Sequence, residues 1–131
     1  MKISNEIINF LPEIKNWRHE LHSHPELGYE EEWTSNFVAE KLESFGIEVH
    51  KGLGKTGVVG VLKGINANQG GGGNKAIGLR ADMDALPMTE ENEFSYKSKF
   101  EGRMHACGHD GHTAMLLGAA KVLSLKRDFD G

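Results

Sequence analysis

Between Arg103 and Met115 the chain reads RMHACGHDGHTAM, which gathers His105, Cys107, His109, Asp110 and His112 around two glycines just before an apolar run. Cys107 is the chain's only cysteine. Cys107 and His109 are separated by one residue, so an extended or turning backbone lets both reach one ion. A thiolate with an imidazole suits borderline transition metals such as zinc, manganese, cobalt or nickel, and not magnesium or calcium. Gly108 and Gly111 allow a tight turn around such an ion. Asp110 and His112 open the following helix, where a carboxylate interacts favourably with the positive end of the helix dipole. A helix-capping loop that happens to hold histidines is the plainer alternative. It would suffice for one lone histidine; this density of donors favours ligands.

Two ligands do not complete a site. Structural zinc takes four protein ligands, and a catalytic ion usually takes three plus water. No second Cys-x-x-Cys or His-x-x-x-His pair is present, which excludes a zinc finger. His105 is a further candidate, and His19, His22 and His24 could approach only through tertiary folding. The remaining ligands are expected outside this chain.

A second constellation is LRADMDALPM. If the strand ending at Arg80 and Ala81 continues, Asp82 and Asp84 project to the same side. Carboxylates at the C-terminal end of a strand are well placed to line a crevice in an α/β sheet. One of them could orient a ligand histidine by accepting its second N–H. A solvated turn with two exposed aspartates explains the pair equally well.

The elements that must position these groups follow from periodicity. Ile3, Ile7, Phe10, Leu11, Ile14, Trp17 and Leu21 recur at three and four, predicting a helix of about five turns. It should stop near His24, because Pro25 disfavours helical geometry in the residue before it. PELGYEE then reads as a loop. Trp33, Phe37, Val38, Leu42 and Phe45 outline a second helix, closed by Gly46. IEVHKG, GVVGVLKG and AIGLRA predict three strands. A third helix is expected from about 110 to 125, with Met115, Leu116, Ala119, Ala120 and Leu123 facing inward. The glycine-rich stretch 66–74 reads as a flexible surface loop. The order defines an α/β chain with a partial mixed sheet and flanking helices, and the turn-like KRDFDG suggests a part of a larger domain.

Composition narrows the partners. With 131 residues, 38% of them hydrophobic, the chain suits one domain of ordinary size. A net charge of -4 gives no electrostatic reason to expect nucleic acid or an anionic membrane. A single cysteine cannot form an internal disulfide and fits a reducing, cytoplasmic setting. The first fifteen residues are interrupted by Asn9, Pro12 and Glu13, and no run approaches the ~20 apolar residues of a membrane span. GLGKTG imitates the end of a phosphate-binding loop, but Val49 stands where that motif needs its first glycine.

Taken in order, WRHELHSHPELGYEE, GKTGVVG, GLRADMDALPM and MHACGHDGHTAMLLGAA resemble the amidohydrolase branch of the dinuclear-metal aminoacylase and carboxypeptidase family. That branch includes hippurate hydrolases, N-acyl-amino-acid amidohydrolases and auxin-conjugate hydrolases. The likeness covers nearly the whole chain apart from the glycine-rich insertion, and HACGHDGHT is its most specific part. The resemblance implies that residues 1–131 form the N-terminal portion of a zinc-peptidase-like catalytic domain. It implies Cys107 and His109 as metal ligands and Asp84 as the aspartate that orients the site, with Asp82 standing where the wider family has histidine. It further implies two divalent ions (manganese, zinc, cobalt or nickel), a small N-acyl amino acid as substrate, and metal-activated water as the attacking group. The glutamate base and the remaining ligands are expected downstream, and homo-oligomerisation of the full-length protein is left open. A truncated, non-catalytic module with an incomplete metal loop is the alternative from another class.

Overall fold

The computed structural model describes residues 3–65 and 75–131. The glycine-rich loop expected over 66–74 lies outside the described residues. Five elements follow in order: α1 (Asn5–Ser23), α2 (Glu32–Ser44), β1 (Glu48–Leu53), β2 (Gly57–Val61) and α3 (His109–Leu125). Among the described residues no helix is long and apolar enough to cross a membrane.

The helices begin and end where local chemistry allows. Ser4 caps α1 by accepting the Ile7 N–H, and the helix ends at Ser23, before Pro25. Glu31 makes no side-chain bond as the cap of α2. Its place is taken by Glu26, whose carboxylate accepts the Trp33 N–H at 3.0 Å and the Thr34 N–H and hydroxyl, both at 2.8 Å. A carboxylate against unpaired N–H groups at a helix start satisfies them and complements the dipole. PELGYEE is therefore a loop that serves as a cap. Gly46, at φ +71, receives the chain as it leaves α2.

β1 and β2 form an antiparallel hairpin with a bulge between Lys51 and Leu53. The phosphate-loop look-alike Gly54–Lys55–Thr56 is its turn, with Gly54 and Lys55 both at positive φ. The Thr56 hydroxyl donates to the buried Glu31 carboxylate at 2.7 Å and ties the turn to the start of α2.

Two expectations are corrected. The segment 76–81 makes no ladder, and among the described residues the sheet has two strands. Ile77 is 90% exposed: β-branched composition favours a strand, but no described backbone offers the hydrogen bonds that would make one. On α3 the inward face is Asp110, Thr113, Ala114, Leu117 and Gly118, while Met115 is 62% exposed. The buried stripe is set by α1 and not by the largest apolar residues. A Cβ on Gly118 would lie 2.6 Å from Ile14 Cδ1, so the two helices approach closely at this glycine. Trp17, Leu21, Phe37, Val38, Leu42, Ile47, Ala114 and Leu117 make the core between the helices and the hairpin.

Candidate metal centre

The histidine-rich loop arrives at α3 through Gly108, which adopts φ +89 and makes no side-chain cap. His109 is thus the first helical residue, and its ring turns toward the segment that follows Arg80. Its Nδ1 lies 3.0 Å from the Asp84 backbone oxygen and 3.0 Å from Asp84 Oδ1. The backbone oxygen can only accept, so Nδ1 carries the proton and donates, leaving the Nε2 lone pair available. Met83 and Asp84 are themselves fixed from behind. The Ala85 N–H donates to the Glu26 oxygen at 2.7 Å, and the Thr113 hydroxyl donates to the Asp82 backbone oxygen at 3.1 Å.

Cys107 is exposed and unbonded to another cysteine. Among the described residues no imidazole stands at hydrogen-bond distance from its sulfur, so a thiol nucleophile would lack its base. The exposed thiol and the pinned imidazole two residues away form a soft and borderline donor pair of the kind that holds a transition metal. Among the described residues no three His, Cys, Asp or Glu side chains converge on one ion, so the donor set fits a metal as a partial site.

Asp82 is placed differently from Asp84. Its Oδ1 pairs with Arg80, 2.7 Å from Nη2 and 2.9 Å from Nε, and leaves the histidine ring to Asp84. Both aspartates, with Gly28, Tyr29, Glu31, Thr56 and Arg80, line one cleft beside the hairpin turn. Of the other histidines, His112 is exposed and tilted against His109, with ring centroids 5.6 Å apart. His19 stacks on Tyr96 at 3.7 Å, and His24 stacks on Trp33 at 4.2 Å.

Sequence reasoning missed a buried polar cluster beneath the loop. Asp110, 1% exposed, accepts from Arg18 Nε at 3.1 Å and from His22 Nδ1 at 2.9 Å through the same oxygen, Oδ2. The other face of the His22 ring meets Glu90 Oε1 at 2.9 Å. Burial works to raise the Glu90 carboxyl, but hydrogen bonds from His22, the Ser98 N–H and Asn92 outweigh it and hold the group below its ordinary range. His105 is buried with neither ring nitrogen bonded among the described residues, and Asp110 Oδ1 is likewise unpartnered. Burial pushes the His105 imidazole below its ordinary range, against the Asp110 carboxylate and with the help of His22 and His109. The four-residue spacing of Arg18 and His22, which puts them on one face of α1, was the available signal. Nothing in the polar stretch around Glu90 marked it.

Known proteins carry the same arrangement of sequence and fold. Over 131 residues the chain is 52% identical to the hippurate hydrolase of Campylobacter jejuni, covering 100% of this chain and 32% of that protein. It is 49% identical over 127 residues to the N-acyl-L-amino acid amidohydrolase of Geobacillus stearothermophilus, covering 94% of this chain and 33% of that protein. The crystal structure of the Bacillus subtilis YXEP protein, described as a dinuclear metal binding peptidase from the M20 family, matches with a TM-score of 0.83. That match has 39% sequence identity and covers 92% of this chain and 32% of that one. Residues 78–131 match Peptidase family M20/M25/M40. Fold and sequence together place the chain with about a third of the length of proteins built on this α/β scaffold. The chain belongs to the M20 peptidase family, and it spans 32–33% of the length of these curated relatives.

Proposed function

We propose that this chain supplies Cys107 and His109 as ligands, and Asp84 as the orienting carboxylate, to the metal centre of an amidohydrolase that cleaves N-acyl amino acids. Hippurate-like and N-acetyl amino acids are the substrate class. The observation that carries the reading is the His109 Nδ1 contact with Asp84, 3.0 Å to both oxygens, which leaves Nε2 available two residues along the chain from an exposed thiol.

A pair of divalent ions (zinc, manganese, cobalt or nickel) supplies, when bound, a Lewis acid for the amide carbonyl and a water acidic enough to attack it. The residues here act on that chemistry by position. Asp84 keeps the proton on Nδ1, so the ring presents Nε2 and gains basicity from its carboxylate partner. Cys107 adds a second donor from a backbone that Gly108 turns at positive φ.

The test is hydrolysis of N-benzoylglycine and N-acetyl amino acids by the longest polypeptide that the reading frame encodes around this chain. Release of free amino acid that stops on chelation and returns with metal is expected. A metal-loaded protein that cleaves none of these amides would contradict the proposal.

A further inference from the structure

The loop that carries Cys107 has little of its own to hold it. The bridge between Leu86 and Met104 and the Ala106 N–H bond to the Met104 oxygen brace the residues before it. Gly108 then starts α3 without a side-chain cap. The first turn of α3 is instead tied on two sides. His109 faces Asp84, while Asp110, rotated by about 100° around the helix, faces α1. There its Oδ2 takes both Arg18 Nε and His22 Nδ1, and Glu90 backs the His22 ring from the far side. Glu90 is in turn gripped by the Ser98 N–H at 2.6 Å and by Asn92 at 2.9 Å. A rotation of α3 that carried His109 away from Asp84 would break the buried Asp110 contacts at the same time.

We propose that Asp110 is a positioning residue for the metal centre: through Arg18 and His22 it fixes the rotation of the first turn of α3, and with it the aim of His109 and Cys107 at a divalent metal. The inference rests on the reading of Cys107 and His109 as ligands. It assigns to α1 a part in metal binding, although α1 contributes no ligand. Exposure separates the anchor from the metal side. Asp110 and His22 are buried and, among the described residues, their side chains hydrogen-bond to each other, Arg18 and Glu90, whereas Cys107 is open to solvent.

Cobalt titration of the chain tests it, because a thiolate-to-cobalt charge-transfer band reports Cys107 as a ligand and Cys107→Ser should erase that band. Asp110→Asn is expected to keep the band at saturation and to raise the cobalt dissociation constant about tenfold, the lower end of what removing a supporting partner costs. A purely structural role would not move one further readout, the coupling of Asp110→Asn to Asp84→Ala. Because both act through the orientation of His109, the double variant should lose less affinity than the product of the single losses. Multiplicative losses, or an unchanged affinity in Asp110→Asn, would overturn the inference while leaving the ligand reading intact. A wild-type chain without a Cys107-dependent band would instead remove the ligand reading, and this inference with it. Should Asp110→Asn fail to fold, Arg18→Gln takes its place, since that side chain is 41% exposed. It is expected to weaken cobalt binding severalfold, and unchanged affinity there overturns the inference equally.

Discussion

Replacing Asp84 by alanine separates the role of its side chain from that of its backbone. His109 Nδ1 stands 3.0 Å from each of two Asp84 oxygens, and only Oδ1 is lost in Asp84→Ala. The backbone oxygen continues to hold the proton on Nδ1, so the tautomer that presents Nε2 survives. What disappears is a carboxylate, and its side chain is 41% exposed, so solvent already screens much of its field. Loss of a partner behind a ligand histidine costs ~10–100-fold in metal affinity. The surviving carbonyl and the screening place this case at the lower end, about tenfold or ~1.4 kcal/mol. Competition between the chain and a chromophoric chelator for zinc measures it, with circular dichroism to confirm that the helices persist. Affinity within twofold of wild type would refute the orienting role. A loss well beyond 100-fold would refute it from the other side, because Asp84 would then be a ligand itself.

Two further outcomes follow from packing and charge. The folded Glu90 carboxyl lies below its ordinary 4.5, so its contribution to stability is fully present above that pH and is lost as pH falls through the lower folded value. Denaturant titrations should therefore show wild-type stability falling more steeply than that of Glu90→Gln below pH 4.5, and parallel curves would contradict the assignment. At Gly118, alanine gains about 1 kcal/mol of helix propensity and must displace the tip of Ile14, so Gly118→Ala should be nearly neutral in thermal melts. Gly118→Leu cannot be absorbed in that way and should destabilise the chain by ~1–3 kcal/mol; equal melting temperatures for the two variants would refute the close approach of α1 and α3.

How far the sequence could be read depended on whether the cause was local. The three helices followed from apolar spacing, Pro25 and Gly46, and the first two strands from their β-branched runs, while the hairpin turn at Gly54–Lys55–Thr56 was read only as a phosphate-loop look-alike. The segment 76–81 has the same composition as a strand, but a strand requires a partner backbone, and no window of sequence contains one. The inward face of α3 failed for a related reason. Hydrophobicity favoured Met115 and Leu123, whereas close approach to α1 selected Ala114, Leu117 and Gly118. In the site, the short range between Cys107 and His109 was legible, and the two-residue period pointed to Asp82 and Asp84 without separating them. Arg80 separates them, by taking Asp82. The Arg18, His22, Glu90 and Asp110 cluster joins three distant stretches, and the four-residue spacing of Arg18 and His22 on α1 was its only local signal.

On the proposed reading, one metal ion is held by Cys107 Sγ and His109 Nε2. X-ray absorption at the zinc edge of the zinc-loaded chain tests it most directly. One sulfur neighbour at ~2.3 Å and imidazole nitrogen at ~2.0–2.1 Å are expected. Cys107→Ser should remove the sulfur shell, and His109→Ala should reduce the imidazole scattering. A wild-type spectrum with only oxygen and nitrogen neighbours, or an imidazole signal unchanged in His109→Ala, would contradict it.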